Sequence, residues 1–185
     1  RGMLAESQTL LARREQAGPG VARALALTEG DAVIHWRRLR RADGVPMCIE
    51  DAYLNEVLLP GFLQQGMPTS LYDSLEARGL RPTWAEDSIN ADKATAEEAT
   101  LLEIEPMSAV LRHSRRAISG EKVVEVSRSV YRADRYTLWV QLGNGDGTFR
   151  TAVSYSSPGS WIEEGSIALA DIDRDGHLDV ALAGS

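Results

Sequence analysis

Two long hairpins dominate the sequence. Ala32 to Arg41 and Val45 to Leu54 flank Ala42-Asp43-Gly44, and Ala109 to Ile118 and Lys122 to Tyr131 flank Ser119-Gly120. Runs rich in β-branched and apolar residues, closed by Asp and Gly, read as strands that return through tight turns. Strands joined in this way are antiparallel. Further strands are expected over Ser7 to Arg14, Trp84 to Asp92 and Tyr136 to Leu142. Helices fit between them. Pro19 opens one over Gly20 to Leu27, and Ser70 caps another through Leu71, Tyr72 and Leu75, with Gly79 beyond it. Thr95 with Glu98 forms a capping box for a third through Leu101 and Leu102, which Pro106 should end. Antiparallel hairpins with inserted helices make the class α+β.

Strand parity sorts the polar residues. Arg38 and Arg40 share one face, while Arg37, Leu39 and Arg41 share the other. A three-residue loop at Ala42-Asp43-Gly44 sets Arg41 opposite Val45, Arg38 opposite Cys48 and Trp36 opposite Glu50, so that Glu50 is a diagonal neighbour of Arg38. A two-residue loop moves Glu50 to the other face. In the second hairpin Val124, Val126 and Val130 alternate with Glu125, Ser127, Ser129 and Tyr131. The valines want the core, so the polar face meets either water or a wet cavity. Neither His35 nor His113 has an evident Asp or Ser partner. Cys48, opposite Arg38 under the longer loop, is either an acidified thiol or a core residue.

Charge excludes one class. The net charge is −7, with 18 basic and 20 acidic residues up to Leu142, and 2 basic and 7 acidic from Gly143 onward. Neither segment has the basic excess of a surface that neutralises DNA phosphates. No apolar run approaches the roughly 20 residues of a membrane helix, and a single cysteine fits a reducing cytoplasm. No membrane partner is expected. No zinc spacing, phosphate loop or nucleophile elbow is present.

Three segments together resemble UTRA domains, the effector-binding domains of GntR-type transcription regulators of the HutC subfamily. They are Arg38-Leu39-Arg40-Arg41-Ala42-Asp43-Gly44-Val45-Pro46 with Ile49-Glu50, Ser70-Leu71-Tyr72 with Leu75, and Val124-Glu125-Val126-Ser127 through Val130-Tyr131-Arg132-Ala133-Asp134-Arg135-Tyr136. The resemblance spans about Thr9 to Leu142. It implies a chorismate-lyase-like antiparallel sheet with flanking helices and an effector cleft lined by Arg38, Arg40, Glu50, Ser70, Tyr72, Glu125 and Tyr131. Paired guanidiniums suit phosphate or carboxylate, and the carboxylates suit ligand hydroxyls or amines. The expected effector is a small anionic metabolite, with phosphorylated sugars foremost. The resemblance also implies a homodimer that reaches DNA only through a winged-helix domain absent from this chain. It implies a sensor that needs no cofactor and is not an enzyme. A chorismate-lyase-like catalyst and a calcium-dependent interaction module are the competing classes.

The segment 143–185 is expected to form a separate, β-rich unit. Gly143-Asn144-Gly145-Asp146-Gly147 and the stretch Ala168 to Val180 resemble FG-GAP or VCBS repeats of β-propellers. Asp171, Asp173, Asp175 and Asp179 have the oxygen-rich spacing of a calcium loop, with Gly176 at the sharp turn. One partial repeat lacks neighbours to bury its face. The loop is therefore either a calcium site or part of an orphan tail.

Overall fold

A computed structural model describes residues 4–136, together with the backbone of 166–170 and 179–183. The chain divides into two compact units, Arg1–Arg135 and Tyr136–Ser185. The first contains β1 (Ala5–Gln16), α1 (Pro19–Leu25), β2 (Ala32–Ala42), β3 (Val45–Asn55), a 3₁₀ turn (Glu56–Leu58) and α2 (Leu71–Glu76). It continues with β4 (Trp84–Lys93), α3 (Ala96–Leu102), β5 (Ala109–Ser119) and β6 (Lys122–Arg132). The six strands form one antiparallel sheet in the order β1-β2-β3-β6-β5-β4. This is the chorismate-lyase-like α+β architecture expected from the sequence.

The first hairpin corrects the expected register in a way that matters for function. The loop has two residues, because Ala42 pairs with Val45 while Asp43 and Gly44 take φ of 50° and 76°. Both central residues are left-handed, the geometry that suits the twist of a two-residue turn. Left alone, that turn would send Glu50 to the wrong face. A bulge at Met47 restores the parity: Arg41 pairs with Pro46, Arg40 with Cys48, and Arg38 with Glu50. Arg38 thus opposes Glu50 directly rather than Cys48.

The second hairpin carries a similar device. Ile118 pairs with Val123 and Ala117 with Glu125, which leaves Val124 as the extra residue. Val124 therefore does not join Val126. It packs with Ile34, Trp36 and Leu54, while Val126 packs with Val33 and Leu25 on the opposite face.

Both faces of the sheet are covered. Leu71 and Leu75 of α2, with Leu59 and Phe62 before it, pack on Ile34, Trp36 and Leu54. On the other face α1 covers Val33 and Val126, and α3 covers Leu39, Ile49 and Val110. Burying each such side chain contributes roughly 1.5–3 kcal/mol. The Trp36 indole N–H donates to Thr9 Oγ1 at 3.0 Å, so its one polar atom is satisfied. The α3 capping box forms as expected, but the helix stops at Glu103 (φ 55°), whose N–H folds back to Ala99 and Thr100 carbonyls, before Pro106 is reached. The strand expected over Tyr136 to Leu142 lies outside the described residues beyond Tyr136.

In the second unit β7 (Ser166–Ala170) pairs antiparallel with β8 (Asp179–Ala183). Asp171, Asp173 and Asp175 lie outside the described residues, and Asp179 is described only as the first backbone position of β8.

Candidate effector site

A cavity of about 350 Å³ lies between α2 and the sheet, lined by all seven residues singled out in the sequence: Arg38, Arg40, Glu50, Ser70, Tyr72, Glu125 and Tyr131. β2 supplies the arginines, β3 Glu50, α2 and its cap Ser70 and Tyr72, and β6 the remaining two. The size lies at the lower end for small-molecule sites. A cavity of about 300 Å³ beneath α1, against Tyr53, Arg116 and Val126, contains none of the seven.

At one end, Arg38 is 4% exposed and donates from Nη2 to Glu50 Oε1 at 2.8 Å. Its guanidinium lies over the Trp36 ring, 3.9 Å from the centroid. Arg40 reaches the other oxygen of Glu50 at 3.4 Å from the cavity rim, where it is half exposed. Two guanidiniums therefore share one carboxylate, and this end keeps a net positive charge.

The other end is acidic and protonatable. Glu125 is 2% exposed, and its Oε2 has no hydrogen-bond partner among the described residues. Burial, reinforced by the charge of Glu50, pushes its pKa up to about 7, against the pull of Tyr72, Arg38 and Arg115. Burial and the charge of Glu125 also push the Tyr72 hydroxyl up to about 12, so it keeps its proton. The polar face of β6 thus meets a cavity and not bulk water: Glu125, Ser127 and Ser129 are all buried.

Ser70 caps α2 by accepting from the Asp73 N–H at 3.3 Å. With six residues, α2 is too short to present a strong dipole, so Ser70 offers its hydroxyl donor and little helix field.

Sequence reasoning missed the wall formed by β5 and β4. Arg115 grips Asp87 through Nε and Nη2 at 2.8 and 2.7 Å, and its Nη1 donates to the Tyr72 hydroxyl at 3.4 Å. The Arg115 guanidinium holds the Asp87 carboxyl below the ordinary carboxylate range. His113 Nε2 lies 2.9 Å from Asp87 Oδ1, and its ring centroid lies 6.2 Å from that of Tyr131. Both histidines thus have an aspartate after all, since His35 Nε2 sits 2.7 Å from Asp51 Oδ1. These partners come from neighbouring strands, and the available signal was the alternation of acids on β4 with arginines on β5 (Glu86-Asp87 and Arg115-Arg116), readable only once the two are paired. Cys48 opposes Arg40, and burial, with the charge of Glu50, pushes its thiol up to about 12. It is a core thiol, not an acidified one.

Comparison with known proteins fits this geometry. Residues 1–137 match the UTRA domain, and residues 129–182 match an FG-GAP-like repeat. The chain is 38% identical over 131 residues to the transcriptional regulator PhnF of Escherichia coli K12, a match that covers 69% of this chain and 54% of the relative. It thus spans about half the length of the curated relatives it matches. Among solved structures, the effector domain of PhnF from Mycobacterium smegmatis superposes with a TM-score of 0.69 at 28% identity, covering 74% of this chain and 85% of that one. The C-terminal domain of the histidine utilization repressor from Pseudomonas syringae pv. tomato DC3000 does so at 0.69 and 27%, covering 76% and 100%. These relatives are regulators and not enzymes. In sequence and in fold, the chain belongs to the UTRA domain family, the ligand-sensing domains of GntR-type transcription regulators.

Proposed function

We propose that residues 4–136 bind a small, polar, anionic metabolite, with phosphorylated sugars as the leading class, in the cavity between α2 and the sheet. The supporting observation is the convergence of Arg38, Arg40, Glu50, Ser70, Tyr72, Glu125 and Tyr131 on one cavity of about 350 Å³. The anionic group faces Arg40 and the shared Arg38–Glu50 pair, where the positive charge is in excess. Hydroxyl or amine groups at the far end donate to Glu125, whose Oε2 has no hydrogen-bond partner among the described residues. In this reading the domain forms a homodimer, works in the cytoplasm, needs no cofactor, and passes its signal to a DNA-binding winged helix elsewhere in the whole protein. The effector domain extends to Leu142. The segment 143–185 is a separate FG-GAP-like repeat, and any calcium bound through Asp171, Asp173, Asp175 and Asp179 serves that tail alone. Titration calorimetry with hexose phosphates and the corresponding neutral hexoses tests the assignment. Binding of the phosphates and not the free sugars is expected, and equal affinity for both would end it.

A further inference from the structure

We propose that the cavity beneath α1, on the face of the sheet opposite the effector site, binds a second ligand, a small carboxylic acid with an apolar body. This site is separate from the one described above and does not depend on it.

The two cavities lie back to back. Along β5 and β6, Ser114, Arg116, Val126 and Arg128 alternate with Arg115 and Ser127, so each strand presents a different set of side chains to each face. Arg115 and Ser127 border both cavities, and this stretch of β5 and β6 is the partition between them. Arg116 opposes Val126 and Ser114 opposes Arg128, which makes the two arginines diagonal neighbours on the α1 side.

The cavity, about 300 Å³, has an apolar lining and a basic rim. Val21 and Ala24 of α1 pack with Val126 and Tyr53, all four bordering the cavity. Arg116 pins this roof to the sheet, donating from Nε to the Ala24 carbonyl at 2.8 Å. Stacking on His35, with ring centroids 4.3 Å apart, fixes the Tyr53 ring. Burial, then the charges of Asp51 and Glu15, push the Tyr53 hydroxyl up, so it keeps a proton to donate.

Charge gives the ligand its sign. On the strands around this cavity, Arg37 meets Asp51 and Glu97, Arg112 meets Asp92 and Glu98, and Arg116 meets Glu86. Arg128 is exposed and has no ion-pair partner among the described residues. Asp51 stands opposite it on β3, but His35 at 2.7 Å and Arg37 at 3.5 Å already hold that carboxylate. Two guanidiniums thus border the cavity with Glu86 alone paired to them, a local positive excess in a chain of net charge −7. One unpaired guanidinium beside apolar side chains matches a monoanion, whose forked oxygens it can grip while the rest of the molecule is buried. A doubly charged phosphate would need further donors to replace its water.

Titration of the full chain with benzoate, followed through backbone amide shifts, tests the site. Saturable shifts are expected at Val21 and Ala24 of α1, with Ser70 and Tyr72 beside the effector cavity unmoved. Benzamide, equal in shape but neutral, should bind about tenfold more weakly, and Arg128→Gln should weaken benzoate by a similar factor. Because Arg128 is exposed, that variant should keep the wild-type melting temperature. Arg40→Gln, at the effector rim, should leave benzoate binding unchanged. Shifts confined to Ser70 and Tyr72 and abolished by Arg40→Gln would put benzoate in the effector cavity and overturn the second site. Equal affinity for benzamide, indifference to Arg128→Gln, or no saturable shift at millimolar benzoate would each overturn it as well. All of these outcomes leave the hexose phosphate reading standing.

Discussion

Arg38 and Glu50 face each other across β2 and β3 as a buried ion pair, 2.8 Å apart, one residue row below the shared contact with Arg40. Removing one partner of a buried pair leaves the other charge uncompensated, which costs more than the pair contributes. Glu50→Ala is therefore expected to destabilise the domain by about 3 kcal/mol. Denaturant unfolding followed by far-UV circular dichroism measures it, and a change within the noise of the extrapolation would show that water, not protein, solvates Arg38.

Glu125 makes stability depend on pH. Its folded pKa, about 7, lies above that of an ordinary glutamate, so the folded state holds the proton more tightly than the unfolded chain. For this group, stability is highest below the unfolded value near pH 4.5 and declines as pH rises towards 7, then levels off. Glu125→Gln carries no such charge. The variant should gain on the order of 2 kcal/mol relative to wild type between pH 5 and pH 8. Parallel melting curves across that range decide it, and a constant difference would mean that Glu125 is ionised throughout.

Asp87 has the opposite sign. Arg115 depresses its pKa, so its contribution is present above the unfolded carboxylate value and is lost as pH falls through the lower, folded one. Asp87 is about one-third exposed, so solvent screens the pair and the stability effect is small. The larger effect of Asp87→Asn should fall on binding, because Arg115 then no longer holds the Tyr72 hydroxyl. A several-fold loss of affinity for a hexose phosphate with little change in melting temperature is expected, and unchanged affinity would remove β4 from the site.

Cys48 should be silent to thiol reagents in the native state. Its thiol is buried and pushed up to about 12, leaving a negligible thiolate fraction at neutral pH. Ellman's reagent should react only as the domain unfolds, at a rate that follows denaturant concentration. Stoichiometric reaction of folded protein within minutes would contradict the burial.

Calcium in millimolar excess should leave the unfolding transition of residues 4–136 in place, since no group of three or more His, Cys, Asp or Glu that could hold a metal occurs among the described residues. An upward shift in that transition would tie the tail's aspartates to the sensing domain.

Much of this protein was legible without coordinates. Local rules were enough for the two hairpins, the Ser70 and Thr95 caps and the α+β class, because turns, caps and period-two alternation are decided within a few residues. The identity of the seven cavity residues was also legible, carried by three motifs in order. The register was not. A turn at Asp43-Gly44 one residue shorter than expected, offset by a bulge at Met47, kept Glu50 facing Arg38, and a second bulge moved Val124 to the side opposite Val126. Bulges arise where cross-strand packing and twist compete with ladder hydrogen bonds, and neither is written in the spacing of one strand. The same holds for Arg115 and Asp87, which are 28 residues apart in the chain and meet only because β4 and β5 pair in one register. Local residue order sets which elements and which chemical groups the protein has. Tertiary structure alone decided which of those groups share a face, because long-range pairing sets side-chain direction and a shift of one residue reverses it.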